Sequence, residues 1–437
     1  MAKRRAPKRS DAPSLHSRLI HGVSRDEHWD YRHHVVPPLS SSTAYRLEAA
    51  ARGARGFAEF AQEEQDPQRR RKAPVYIYDR LAEPTRDMLE AALAVSEGGE
   101  TAVTFATGMA AIAAALGVTL QSGEHLVADQ VLYGSTYSLL TSWFPRYRIG
   151  TSFGDLTDPG RLRKLVRPTT RVVYFESPAN PNMKLIDIRA VRAEVDRLNR
   201  QRRPDWKIRI VVDNTFATPF CQRPLLLGAD LVVHSLTKNI CGFGTDMGGA
   251  AIGSRAFHAP LMNYRKDFGG VLSPKAAWPI LVYGLSTLSL RVRHQVATAG
   301  EVARFLEQSA KVKRVSYPGL PSFPQYELAK RQMLDFDGHF SPGTMLYFVV
   351  GGAPAAAQRR AMKLIDHLAR KAYTVTLAVS LGQIRTLVEH PSSMTHSSIP
   401  LAKQLKEGID PGGVRISIGL EHPRDLIADL AAALRKI

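Results

Sequence analysis

Apolar strands alternating with amphipathic helices predict an α/β protein, with a mostly parallel sheet in a large domain and a smaller α+β domain after it. Three observations predict this. Runs at residues 102–105, 125–128, 171–175, 208–212 and 231–233 are apolar or β-branched almost throughout, the pattern of strands covered on both faces. Amphipathic stretches such as 188–198 lie between them. From about residue 289 long helical patterns take over, at 292–309 and 355–372, with strands at 345–350 and 414–418.

A chain of 437 residues is long enough for two such domains. The expected boundaries are 1–82 for an N-terminal segment, 83–288 for the large domain and 289–437 for the C-terminal domain. Residues 1 to about 35 read as a flexible arm, and 46–72 as a helix followed by a linker. The apolar segment 276–290 reads as a core helix, because it is interrupted by Pro279 and Gly284 and is shorter than the ~20 residues of a membrane span. The basic start, Met1 to Arg9, has no apolar stretch after it and so does not read as a signal peptide. Two cysteines, Cys221 and Cys241, give no disulfide framework and fit a reducing, cytoplasmic setting.

The formal charge of +19 raises nucleic-acid binding as one class of function. The basic residues concentrate in the first nine positions and at Arg69–Lys72. Neither cluster is interleaved with aromatics, and an arginine-rich surface is the better reading.

The chemistry concentrates where strands end. The run at 208–212 ends in Asp213, and the run at 231–233 leads into His234-Ser235-Leu236-Thr237-Lys238. A carboxylate and a lysine flanked by hydroxyls, both beyond the carboxyl ends of parallel strands, lie where open α/β sheets bind ligands. Pyridoxal phosphate (PLP) needs these parts: an amine for a Schiff base, a carboxylate to keep the pyridine nitrogen protonated, and hydroxyls and backbone amides for the phosphate. Thr107-Gly108-Met109 follows a strand and opens a helix, so free amides and the helix dipole there favour an anion. Read alone, Lys238 is a surface lysine, Asp213 a helix cap and Gly108 a common turn.

Together with Tyr76-Ile77-Tyr78-Asp79-Arg80, Leu132-Tyr133-Gly134, Glu176-Ser177-Pro178-Ala179-Asn180-Pro181, Ser380-Leu381-Gly382 and Val414-Arg415-Ile416-Ser417, these motifs occur in the order found in one family. From about Pro37 to the C-terminus the chain resembles the Cys/Met-metabolism (trans-sulfuration) PLP enzymes. The resemblance implies an aspartate-aminotransferase-like (fold type I) architecture whose large domain binds PLP. It implies that Lys238 carries the cofactor and moves protons at Cα and Cβ, that Asp213 bonds the pyridine nitrogen, and that Ser235, Thr237, Gly108 and Met109 hold the phosphate. Tyr133 stacks on the ring and assists departure of the leaving group, and Asn180 lies near the phenolic oxygen. Tyr78 and Arg80 cross to a neighbouring subunit's phosphate, which implies a homodimer or homotetramer with shared active sites. Arg415, with Ser380, binds the substrate's α-carboxylate.

The implied reaction is γ-elimination or γ-replacement on sulfur amino acids or activated homoserine. Relatives that act on cystathionine carry charges at three distal positions, which here are Ile77, Ser138 and Val379. That uncharged set favours a small γ-substituent, as in methionine γ-lyase or O-acylhomoserine sulfhydrylase, over the cystathionine γ-synthases and γ-lyases. A γ-lyase for another substituent, such as that of canavanine, would need Asp79, Glu83 or Asp246 to face a cation. Departures from the family pattern are Thr107 for serine, Glu83 for asparagine at the site's rim, Asn239 for tyrosine, a displaced Asp246 and Arg385 for glutamate. The sequence holds no metal site, and a membrane partner is not expected.

Overall fold

The computed structural model describes residues 13–22, 34–61, 75–395, 397, 401–406 and 408–437. The first nine residues and Arg69–Lys72, the two basic clusters, lie outside this set.

Seven strands form the large sheet: β1 (Thr101–Phe105), β2 (His125–Asp129), β3 (Gly150–Gly154), β4 (Thr170–Glu176), β5 (Arg209–Asp213), β6 (Leu231–Ser235) and β7 (Gly249–Gly253). Their order is β1-β7-β6-β5-β4-β2-β3, and β7 alone runs against its neighbours. The five strands expected from the sequence are all present. Gly150–Gly154 and Gly249–Gly253 were not expected, because glycine and small residues carry little strand signal.

Alternation along the strands feeds both faces, as strand geometry requires. Val172, Tyr174, Val211 and Val233 join one buried cluster. Val173, Phe175, Ile210 and Val212 join the opposite one, where they meet Ile188, Val191 and Val195 of the helix Ile188–Asn199. Each such aliphatic side chain contributes about 1.5–3 kcal/mol when fully buried.

Five strands form the second sheet: β8 (Val312–Ser316), β9 (Met345–Val350), β10 (Val375–Leu377), β11 (Thr386–Glu389) and β12 (Gly413–Ser417). Their order is β10-β11-β12-β9-β8, antiparallel except between β10 and β11. Helices Pro354–Lys371 and Pro423–Leu434 cover one face through Leu346, Phe348, Val414 and Ile416. Met345, Tyr347 and Val349 turn the other way and join the cluster that also contains Ala102, Leu236 and Ile252 of the large sheet. Arg415, between Val414 and Ile416, is therefore on the face directed at the large sheet.

Two expectations change. The N-terminal arm contains a helix, Leu15–His21, capped by Ser14 and anchored by Leu19, which is buried in the core beside Met88 and Phe220. One buried leucine and a cap in a charged stretch give too short a period to read. Residues 276–290 are not one helix: Pro274–Pro279 gives way to a wide π-helical stretch, Ile280–Leu285, before a long helix begins at Leu288. Arg291 lies behind this change. Its buried guanidinium donates to the Gly284 carbonyl at 2.6 Å and to the Asn239 carbonyl at 2.9 Å. No described helix is long and apolar enough to cross a membrane.

Candidate active site

The carboxyl ends of β4, β5 and β6 gather the expected residues. Glu176 and Asp213 close β4 and β5 and are cross-strand neighbours. Burial pushes both carboxyls upward, and their mutual repulsion adds to the effect on Glu176. The Asp213 carboxylate accepts from the Thr215 N–H at 2.9 Å, and among the described residues no salt bridge is made to it. Glu176 accepts from the Tyr133 N–H at 2.6 Å, which ties the half-exposed Tyr133 to the end of β4.

Lys238 lies in the turn after β6. Its Nζ donates to Ser380 Oγ at 2.7 Å. Burial, with the positive charge of Arg415 nearby, brings its ammonium down to about 8, and the Glu389 carboxylate opposes this. The turn is gripped from behind by Arg291. Gly242, at φ +76°, is required there because a Cβ would lie 2.0 Å from Arg291 Nη1.

The helix Gly108–Gly117 opens beside Ser235. A Cβ on Gly108 would lie 2.8 Å from the Ser235 Cβ, so only glycine allows this approach. Thr107 caps the helix by accepting from the Ala110 N–H at 3.1 Å. The N–H groups of Gly108 and Met109 precede the first intrahelical acceptor and suit an anion. The Ser235 N–H is held by Thr215 Oγ1 at 2.9 Å. The Thr237 hydroxyl accepts from the Gly248 N–H at 3.1 Å and is thus engaged with its own loop.

The second sheet delivers Arg415. Its buried guanidinium donates to Asn180 Oδ1 at 3.0 Å and to the Ser380 carbonyl at 2.9 Å, and pairs with Glu389 at 3.0 Å. Ser380 therefore joins Lys238 and Arg415, and does so at φ +87°, a left-handed backbone that is costly for a serine.

Other expected residues lie apart from this cluster. Tyr78 and Arg80 face outward: Arg80 donates to the Lys266 carbonyl at 2.6 Å and lies 5.6 Å from the Tyr78 ring. Ile77 packs toward Gly56 of the helix Ala50–Glu59, while Ser138 and Val379 are exposed. Glu83 is not at a rim. It is fully buried and caps the helix Pro84–Glu97, accepting from the Thr85 and Arg86 N–H groups at 2.8 Å each. A carboxylate serves a helix N-terminus as well as an asparagine does. Glu389, Thr215 and Arg291 escaped the sequence reading, since none lies in a motif with its own chemistry.

The donor set suits PLP. Asp213 is a half-buried acid with no salt bridge among the described residues, and a pyridinium nitrogen would supply a cation. The helix start beside Ser235 is shaped for a phosphate, and burial brings the Lys238 ammonium down to about 8.

A lysine, a half-buried acid and a helix N-terminus at the carboxyl ends of a mostly parallel sheet define an enzyme of the PLP-dependent class. Residues 17–435 match the family described as Cys/Met metabolism PLP-dependent enzyme, and the chain belongs to it. It is 38% identical over 420 residues to an L-methionine gamma-lyase of Porphyromonas gingivalis, covering 96% of each chain. It is 37% identical over 360 residues to an O-succinylhomoserine sulfhydrylase of Mycobacterium tuberculosis, covering 82% of this chain and 84% of that one. A crystal structure of cystathionine gamma-lyase from Lactobacillus plantarum with L-serine superposes with a TM-score of 0.82 at 27% identity, over 97% of this chain and 99% of that one.

Proposed function

We propose that this enzyme carries out γ-elimination or γ-replacement on a sulfur amino acid or an activated homoserine, with a methionine γ-lyase-like or O-acylhomoserine sulfhydrylase-like substrate. The observation that carries the proposal is the meeting of Lys238 Nζ and Arg415 on Ser380, the first donating to its hydroxyl at 2.7 Å and the second to its carbonyl at 2.9 Å. The names of the relatives point the same way.

Lys238, Asp213, Ser235, Thr237, Gly108, Met109, Tyr133 and Asn180 would hold PLP, which when bound supplies an electron sink at the substrate's Cα. Arg415 takes the α-carboxylate, with its fork already oriented by Asn180 and the Ser380 carbonyl. Lys238 Nζ, half free amine near pH 8, takes the Cα proton and returns one at Cβ. Tyr133, half-exposed and with its backbone held by Glu176, gives a proton to the departing γ-group.

Asp79 pairs with Arg86 at 2.8 Å and Glu83 caps a helix, so two of the three acids that canavanine would need are committed elsewhere. Ser138 and Val379, exposed and uncharged, favour a small γ-group over cystathionine. Tyr78 and Arg80, turned away from their own site, serve a second subunit in a homodimer or homotetramer, and the setting is cytoplasmic. The nucleic-acid reading leaves all of these site contacts without a use.

The test is release of 2-oxobutanoate from L-methionine by the PLP-loaded protein without added thiol. Release establishes the lyase. Failure, with turnover of O-acylhomoserine plus sulfide, establishes the replacement reaction, and failure of both overturns the proposal. The shared site is tested by mixing inactive Lys238→Ala and Arg80→Ala proteins. Hybrid oligomers regain activity, and persistent inactivity rejects the sharing.

A further inference from the structure

Glu389 has no part in the reaction outlined above, yet its position is specific. It lies on β11 directly opposite Arg415 on β12. It is 1% exposed, and its Oε1 forms an ion pair with Arg415 Nη1 at 3.0 Å and accepts from the Thr395 hydroxyl at 2.9 Å. Its Oε2 is buried and, among the described residues, has no hydrogen-bond partner. The other two acceptors on Arg415, Asn180 Oδ1 and the Ser380 carbonyl, are neutral. Among the described residues, Glu389 is thus the counter-ion of this arginine.

An amino-acid substrate brings a second carboxylate to the same guanidinium. Two carboxylates on one buried cation leave a negative charge unpaired, and a buried pair of acids near each other favours protonation of one. Glu389 has the open oxygen for that proton. Burial already pushes its carboxyl upward, against the opposing charges of Arg415 and Lys238 and the Thr395 hydrogen bond.

We propose that Glu389 holds the place of the substrate's α-carboxylate on Arg415 in the free enzyme. When substrate arrives, Glu389 takes one proton from solvent on Oε2 and remains as a neutral neighbour. It is a positioning residue that sets how substrate affinity depends on pH. The proposal rests on the reading of Arg415 as the carboxylate site.

The groups facing it bound the effect. Arg415 approaches from β12 and Lys238 from the turn after β6, and the Tyr133 hydroxyl acts on Arg415 from beyond it. Thr395 belongs to the following turn. His390, next in the chain, is turned to Ser393 Oγ and the Pro411 carbonyl, at 2.7 Å each. Neutralising Glu389 also removes the charge that holds the proton on Lys238, so substrate binding frees the amine that the reaction uses.

The test titrates PLP-loaded enzyme calorimetrically with L-2-aminobutyrate, which has the α-carboxylate and amine but no γ-group to lose. Two buffers of different ionisation heat give the protons taken up per ligand, at several pH values. Wild type, Glu389→Gln and Arg415→Ala are compared, with melting temperatures to verify folding. Glutamine keeps the acceptor for Arg415 and Thr395 and removes only the charge. Wild type is expected to take up close to one proton more than Glu389→Gln, and the affinity advantage of the variant should grow toward about tenfold per pH unit on the alkaline side. Equal proton counts and parallel pH profiles, with binding lost in Arg415→Ala, overturn the role of Glu389 alone. Undiminished binding by Arg415→Ala overturns the carboxylate-site reading instead.

Discussion

The two sheets hold their share of the site by different means. At the large sheet, Lys238, Asp213 and Gly108 follow strand ends or open a helix, and backbone amides and threonine hydroxyls do most of the holding. At the small sheet, Arg415 stands in mid-strand, and its place is fixed by a buried carboxylate and by Asn180, 235 residues away in sequence. The first region is built from local geometry, and the second from long-range charge. Neutral hydrogen bonds of the first kind are worth about 0.5–1.5 kcal/mol each. Removing one member of a buried ion pair costs about 3–5 kcal/mol, because the other charge is left behind. The first region should therefore lose chemistry when mutated while keeping its fold, and the second should lose both.

The largest effect expected is for Lys238→Ala. Activity should fall by about 10³-fold or more, borohydride should no longer fix the cofactor to the protein, and the melting temperature should hold. A large drop in melting temperature would break the comparison. Arg415→Ala comes next, losing kcat/KM together with about 3–5 kcal/mol of stability, read by denaturant unfolding. The double variant Arg415→Ala, Glu389→Ala sharpens the point, since it should recover part of that stability and none of the activity.

A smaller, pH-dependent effect separates the regions further. Burial and Arg415 lower the Lys238 ammonium to about 8, so its reactive free-amine form grows as pH rises through about 8. The rate at which apoprotein takes up PLP covalently should rise over that range. In Glu389→Gln the rise should move to lower pH, since the carboxylate that favours the ammonium is gone. An unmoved profile would show the two regions to be electrostatically independent. The smallest effect is for Glu83→Ala, which should cost about 1 kcal/mol as a lost cap and leave the bound cofactor's absorbance unchanged.

The same contrast explains what the sequence could disclose. Asp213 ends a run of apolar residues and Lys238 follows another within a few positions, so their neighbours in the chain announce their position, and the parallel sheet was legible from the same runs. The likeness of Val414-Arg415-Ile416-Ser417 to the family pattern pointed to Arg415, but its partner Glu389 lies on another strand in a stretch with no motif. Pairing across strands depends on register, which a single sequence does not state. Arg291 escaped for a related reason: three of its four acceptors are backbone carbonyls, which every residue type offers, and the fourth is the Thr287 hydroxyl. The helix Leu15–His21 depends on one buried leucine, and the break at Ile280–Leu285 on a contact made only after folding.

The alternation on β12 has one more consequence. Val414 and Ile416 face the helices, and Arg415 faces the opposite way. A single residue inserted within this strand would turn the arginine into aliphatic packing and bring an aliphatic side chain to the place where a carboxylate is expected. The strand cannot change its count without turning the arginine away. The place of this guanidinium is written as a parity, and a frame error of one position would lose it without altering the composition of the site.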